Sequence, residues 1–310
     1  MTIRFIIIGM VSLFLLGLSG SDHPFPQGNK LRLSTFNIAY YGLGAEAAGS
    51  LKDEYRDPWL KEFWPKELME SDVIAFQEII DVPRIQKLMG GKHQCVSYDH
   101  ASPKHQHAVL CYRSDYKFEK EAGDDNFLID EVAMGRYRPA LSGLLKNEGG
   151  GPLAHIIAVH LKAMPDSSDI RMAQTELIAK RMGSFKDGVP IVYLGDINTH
   201  ETTLTKKIAN DDIMMDTIFK NHGLSLVQVP NPSAYTFRTA TYPNPPEGYK
   251  LDRFWVSKEI LSGAGAKVLG PCNSAVYDGQ RFGRISFYNR FISDHCPVTT
   301  ILEWGDSLGW

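Results

Sequence analysis

Cysteine is scarce and never clustered. Only four occur, Cys95, Cys111, Cys272 and Cys296. No CxxC and no Cys/His spacing joins them, which excludes a structural zinc site of the finger or ribbon type. A basic excess is also missing. Lys plus Arg number 33 against 36 Asp plus Glu, a formal net charge of −3. The whole-chain basic footprint of a protein that grips long nucleic acid nonspecifically is therefore absent. No internal repeat is present, which excludes solenoids and propellers. No low-complexity linker divides the chain, so one domain is expected over residues 30–304. The longest apolar run, Phe5 to Leu18, is too short to span a bilayer comfortably.

That run has another use. Arg4 is a short positive n-region before it, and Gly17-x-Ser19 or Leu18-x-Gly20 supplies a small-residue cleavage site. Residues 1–20 therefore read as a signal peptide, which makes the mature protein secreted or periplasmic; a retained membrane anchor is the competing reading. No Cys follows the run, so lipoprotein attachment is not indicated. Export would permit two disulfides among the four cysteines. Cys95 and Cys111 lie on short β-like runs, Gln94 to Tyr98 and Ala108 to Tyr112, which can pair as a hairpin. Cys272 lies in a loop and Cys296 follows Asp294-His295. Three pairings stay open.

With 43% apolar residues the chain can bury a large core. Asp57-Pro58 opens a helical segment through Leu68 that Pro65 should kink or shorten. Ser167-Ser168-Asp169 offers an N-cap for a helix from Ile170 to Phe185, where Ile170, Ala173, Leu177, Ile178 and Met182 recur at helical spacing. A second helix is expected from Leu204 to Asn221. Val229 to Gly248, rich in Pro, Tyr and Thr, reads as a long surface loop. Arg281 to Arg290 sets Arg281, Arg284 and Arg290 around Phe282, Phe287 and Tyr288, a mixture suited to phosphates and bases or to a solvated loop. The order mixes β, βα and hairpin signals, which favours α+β with mixed sheets.

The chemistry lies at strand ends. Leu31 to Phe36 runs into Asn37, and Val73 to Gln77 into Glu78. Ile156 to Val159 runs into His160, and Ile191 to Leu194 into Gly195-Asp196-Ile197-Asn198. Ser293-Asp294-His295 precedes the apolar run Val298 to Leu302. Any one polar residue beside a strand is usually a cap or turn residue. Repetition points instead to a crevice at a sheet edge, where backbone pairing stops and polar side chains converge.

In this order, Asn, Gln-Glu, His, Gly-Asp-x-Asn, Asp, Ser-Asp-His, the chain resembles the endonuclease/exonuclease/phosphatase superfamily of metal-dependent phosphoesterases, from Thr35-Phe36-Asn37 to Ser293-Asp294-His295. The resemblance implies a four-layer α/β/β/α sandwich with two packed mixed β-sheets. It implies Mg²⁺, with Mn²⁺ or Ca²⁺ as substitutes, at Glu78 with Asn37 and Asp294 beside it, a sparse oxygen set of the kind Mg²⁺ accepts. Asp196 and Asn198 would position the attacking water and phosphoryl oxygens, and His295 oriented by Asp252 would be the base. His160, Asn198 and Arg138 (or its neighbour Arg136) would hold the phosphate. Single-step, in-line attack by water needs such a set.

Departures refine this. Ile38-Ala39 lacks the acidic residue that follows the Asn in abasic-site endonucleases. The stretch His105-Gln106-His107-Ala108-Val109 lacks the carboxylate that orients the counterpart of His160 in pancreatic-type DNases; its histidines read as substrate contacts or as an exposed pair. Leu251 stands where inositol 5-phosphatases carry Cys, and Lys250-Leu251-Asp252-Arg253 is closer to the nuclease pattern. The expected function is thus an exported, monomeric, metal-dependent phosphodiesterase of nuclease type, acting on nucleic acid. The alternative is a phosphatase or sphingomyelinase-like phospholipase acting on a small or lipid phosphoester. A binding protein that has lost the chemistry is disfavoured, since every principal position is filled.

Overall fold

The structure is a computed structural model that describes residues 30–47, 50–63, 66–98, 106–199, 211–231, 234–238, 248–260, 265–273 and 287–303. The expected signal peptide, His105, Arg281, Arg284 and Trp304 lie outside the described residues, as does the first part of the expected 204–221 helix. In chain order, β1 (Lys30–Tyr41) is followed by helices α1 (Asp53–Phe63) and α2 (Lys66–Met69), β2 (Val73–Ile79), α3 (Val82–Leu88), β3 (His93–Ser97) and β4 (His107–Arg113). Then come β5 (Lys117–Glu119), β6 (Leu128–Ile129), β7 (Ala140–Lys146), β8 (Pro152–His160), α4 (Ser168–Met182) and β9 (Ile191–Asp196). The remainder is α5 (Asp211–Asn221), β10 (Leu224–Leu226), β11 (Phe237–Arg238), β12 (Gly248–Tyr249), β13 (Asp252–Ser257), β14 (Lys267–Val268) and β15 (Val298–Glu303).

Two large sheets form, in the orders β14-β15-β1-β2-β4-β3 and β10-β13-β9-β8-β7-β5, with β6 also on β7. Both are mixed. Each has one parallel pair, β1 with β2 and β8 with β9, joined through helices, while its other pairs are antiparallel. The sheets pack face to face over one core, and helices cover their outer faces, which gives the α+β four-layer sandwich.

Side-chain alternation assigns each strand to two cores. On β1, Leu31 and Leu33 enter the core between the sheets, whereas Phe36 and Ile38 pack outward with Leu60, Leu68, Ile85 and Leu88 of α1 to α3. On β8 and β9, Ile156, Ala158, Val192 and Leu194 point inward. Ile157, Val159 and Tyr193 face Met172, Ile178, Met215 and Phe219 of α4 and α5. Each such fully buried large side chain stabilises the fold by roughly 1.5–3 kcal/mol relative to exposure.

Helix limits differ from the sequence reading in ways that have local causes. α1 starts at Asp53, not Asp57, so Pro58 lies inside it. The start is fixed by Asp53, whose carboxylate accepts the Gly44 N–H at 2.8 Å and pairs with Arg56. α4 runs from Ser168 to Met182, stopping at Gly183 rather than Phe185. α3 went unnoticed in the sequence; its signals are Asp81, whose side chain accepts the Arg84 N–H, and a proline at the first turn. Within the expected 229–248 loop, β11 pairs with β12. The disulfides are Cys95–Cys111, which joins residues directly opposite on β3 and β4, and Cys272–Cys296.

Candidate active site

The inward rows that build the central core end in polar residues. Leu31, Leu33 and Thr35 lead to Asn37, Ile156 and Ala158 to His160, and Val192 and Leu194 to Asp196. Val256 and Phe254 lead back to Asp252. All four polar residues are buried. Register sets their neighbours. Asp196 lies opposite Asp252 across the β9/β13 pair and opposite His160 across β8/β9. Gly195 permits this. At φ +143° it lets β9 run so close to β8 that a Cβ there would meet the Val159 oxygen at 2.1 Å.

Glu78 breaks the alternation that would turn it outward. The β1/β2 and β2/β4 registers both shift around it, and Glu78 itself has φ +60°. Bulges of this kind re-aim a side chain. The Glu78 carboxylate accepts from Asn37 Nδ2 at 3.2 Å, the Tyr40 N–H at 3.2 Å and Gln106 Nε2 at 2.8 Å. Asn37 Nδ2 also donates to Asp196 Oδ2 at 2.9 Å, while its oxygen accepts the Ala39 N–H. Asn37, one of the three expected metal ligands, thus faces the Glu78 and Asp196 carboxylates with its NH₂ group and ties them together. Asn198, in the left-handed region that Asn tolerates, closes a turn on Asp196 Oδ1 and donates its Nδ2 to the Leu161 carbonyl.

His295 meets Asp252 across the sheets. Its Nδ1 lies 2.8 Å from Asp252 Oδ2, and its Nε2 points toward Asp196 Oδ2 at 3.8 Å. Thr236 ties the pair together. Its hydroxyl accepts the Leu251 and Asp252 N–H groups and its carbonyl accepts the Cys296 N–H. The Cys272–Cys296 bridge anchors the residue next to His295.

Electrostatics mark the cluster. Burial, with Asp252 and Glu78 nearby, pushes Asp196 up to about 7 despite the opposing pull of His295 and Asn37. Burial alone would lower His295, but Asp252, Asp196 and Asp294 outweigh it and raise the imidazole to about 10. Glu78 is raised by burial and by Asp294, and Asp294 by burial, with a contribution from Asp252. Buried carboxylates that raise one another are the surroundings a divalent cation relieves. The donor set is hard oxygen plus imidazole, which suits Mg²⁺ or Mn²⁺. Asp196, Asp252 and His295 also bring ligand atoms within 4.8 Å of one another. His160 is the opposite case. Burial, then Arg138 and His295, hold its pKa well below the usual value, so it is neutral. Its Nε2 is 3.4 Å from Asp196 Oδ2, and its buried Nδ1 has no partner among the described residues.

The structure brings Asn37, Glu78, His160, Asp196, Asn198, Asp252, Asp294 and His295 into one crevice. Arg138 borders it, donating to the carbonyls of His160 and Leu161 and to Gln106 Oε1 at 2.5 Å. Arg136 is exposed and its guanidinium lies over Tyr137. His107 packs against Tyr98, the ring centroids 5.0 Å apart and the planes tilted by 53°. Sequence reasoning missed Arg56, a buried guanidinium that donates to the carbonyls of Ile38, Ala39 and Ile292. It ties the chain after Asn37 to the chain before Asp294, yet on an amphipathic helix it reads as surface charge. Gln106 was missed too, since its partners come from other strands.

No protein-family model and no curated protein matches the chain. Solved structures do. D. rerio TDP2 complexed with a single-strand DNA product superposes with TM-score 0.59 at 16% identity, covering 88% of this chain and 98% of that one. An endonuclease/exonuclease/phosphatase from Bacteroides vulgatus gives 0.59 at 18%, covering 89% and 99%. The human Nocturnin catalytic domain with bound sulfate gives 0.55 at 17%, covering 88% and 94%. The fold is that of the endonuclease/exonuclease/phosphatase superfamily.

Proposed function

We propose that the protein is a divalent-metal-dependent phosphodiesterase of nuclease type that acts after export. One observation carries the reading: six separate chain segments from both sheets deliver two imidazoles, two amides and four carboxylates to a single crevice centred on Asp196. A cation held by Glu78 and Asp294 would supply positive charge to a phosphoryl oxygen and offset the carboxylates that keep the proton on His295. The chain's own residues do the rest. Asp252 fixes the His295 tautomer, leaving Nε2 to take a proton from water held against Asp196. Neutral His160 and Asn198 face the phosphoryl oxygens as donors, with Arg138 at the border. The D. rerio structural neighbour holds a single-strand DNA product, which supports nucleic acid as substrate. The near-balanced charge favours short or single strands over processive binding to duplex. Two disulfides and no free cysteine among the described residues support an oxidising compartment.

The test is a screen of the purified mature protein with Mg²⁺, Mn²⁺, Ca²⁺ or Zn²⁺ on plasmid DNA, RNA, sphingomyelin and bis-p-nitrophenyl phosphate. Nucleic acid hydrolysis that EDTA abolishes and Mg²⁺ or Mn²⁺ restores better than Zn²⁺ is expected. Cleavage of sphingomyelin alone moves the substrate to lipid, and full activity in excess EDTA sinks the metal reading.

A further inference from the structure

We propose that Gln106 is a positioning residue for the metal-binding carboxylate of Glu78, with Arg138 as its anchor. This rests on the metal-dependent reading above. Gln106 opens the β4 side of the crevice, where its backbone carbonyl accepts the Tyr98 hydroxyl at 3.0 Å. Its side chain spans two charged groups: Nε2 donates to Glu78 Oε2 at 2.8 Å, and Oε1 accepts from Arg138 Nη1 at 2.5 Å. The amide orientation is dictated by its partners, because a carboxylate only accepts and a guanidinium only donates. Turned over, both contacts become repulsive. Arg138 is itself fixed by the His160 and Leu161 carbonyls at the end of β8. A rigid relay therefore runs from β8 in one sheet to the bulged end of β2 in the other.

Its effect on Glu78 is specific. Oε2 receives two N–H groups, from Gln106 and from Tyr40, which leaves Oε1 turned toward Asn37 and His160. The relay thereby selects the oxygen offered to a cation. Glu78 sits on a backbone in the left-handed region, where a glutamate has little local preference and needs outside restraint. Only an uncharged amide of this length satisfies both neighbours. A carboxylate at 106 would repel Glu78, and an aliphatic side chain would remove the one contact that joins Glu78 to Arg138. Partners that orient ligating carboxylates change metal affinity by about 10–100-fold when lost.

Mn²⁺ binding to the full mature protein, measured by titration calorimetry, tests this in wild type and in Gln106→Met, which keeps the side-chain length and removes both polar atoms. The expected result is a dissociation constant raised about 10–100-fold, with the metal-free unfolding midpoint within a few degrees of wild type because Gln106 lies at the rim. Turnover lost by the variant should return as Mn²⁺ is raised, which a general packing defect would not allow. Affinity within twofold of wild type overturns the proposal. So does weakened affinity accompanied by a large fall in the metal-free midpoint, or turnover that Mn²⁺ does not recover. A wild-type protein that binds no Mn²⁺ fails at an earlier point and takes the metal-dependent reading with it.

Discussion

One strand, β8, carries two buried histidines in opposite states. His155 points to the helical side, where Nδ1 meets Glu121 at 2.9 Å and Nε2 meets Asp187 at 3.0 Å. Phe185 stacks on its ring at 4.0 Å. Burial alone would lower its pKa, but the two carboxylates outweigh that and raise it. His160 points into the crevice, is held neutral, and keeps one ring nitrogen unpartnered. Both residues are imidazoles near carboxylates, so residue type and burial do not separate them. Closure does. The His155 set satisfies itself and stiffens the start of β8, whereas His160 stands at the strand's end with Nε2 turned into the crevice, 3.4 Å from Asp196 Oδ2 and 3.9 Å from Glu78 Oε1.

If that contrast is right, substitutions in the open set should change turnover and substitutions in the closed set should change stability. The largest effect is expected for His295→Ala and Asp196→Ala, each lowering kcat by roughly 10²-fold or more, the scale of a lost base or preorganised stabiliser. Asp196→Ala should keep an unfolding midpoint near wild type, whereas His295→Ala leaves the buried Asp252 carboxylate without its imidazole and should lower the midpoint; turnover per folded molecule within a few-fold of wild type would break the assignment. Asp252→Asn comes next. It keeps the shape of the side chain and removes the charge that orients His295, so kcat should fall by at least tenfold while KM changes little. A variant that raises KM and leaves kcat intact would make Asp252 a binding residue instead.

His155→Leu should do the reverse. It leaves the Glu121 carboxylate, nearly inaccessible to water, without its partner, which costs about 3 kcal/mol in urea unfolding. Asp187 is half exposed and solvent screens it, so no energy is assigned to that arm. Turnover per folded molecule should be unchanged. Loss of kcat without loss of stability would mean that the two histidines are not functionally distinct.

Strand periodicity made much of this legible in the sequence. Asn37, His160 and Asp196 each end an apolar run whose alternate residues face the central core, so their convergence follows from a period of two once the sheets pack. Asp252 and His295 were paired through family resemblance, and their meeting requires two strands from different sheets. Glu78 was visible as a residue type but not as a direction, because the bulge that turns it inward depends on β1 and β4. Arg56, Thr236 and Gln106 were not legible. Each acts by hydrogen bonds to segments distant in sequence, and nothing in their local context separates them from ordinary polar residues. Helix starts failed for a related reason: Asp53 is tied to Gly44, a contact that Asp57-Pro58 does not reveal.

The smallest effect expected is a pH dependence confined to the closed set. The folded pKa of His155 lies above its unfolded value of about 6.5. Its contribution to stability is therefore full below that value and is lost as pH rises through the folded pKa. Asp187 works from the other side. Burial would raise its pKa, but His155 and the Val189 N–H lower it. Its contribution is present above about pH 4 and lost as pH falls through the depressed value. Between these limits the cluster stabilises most. Other titrating groups, His295 and Asp196 among them, are common to wild type and His155→Leu and cancel in the difference. The unfolding free energy of wild type minus variant, taken from urea titrations between pH 5 and 9, should be largest near pH 5 to 6 and should shrink as pH rises. A difference that stays flat or grows with pH would mean that His155 is not held protonated by its two carboxylates. The contrast with His160 would then rest on geometry alone.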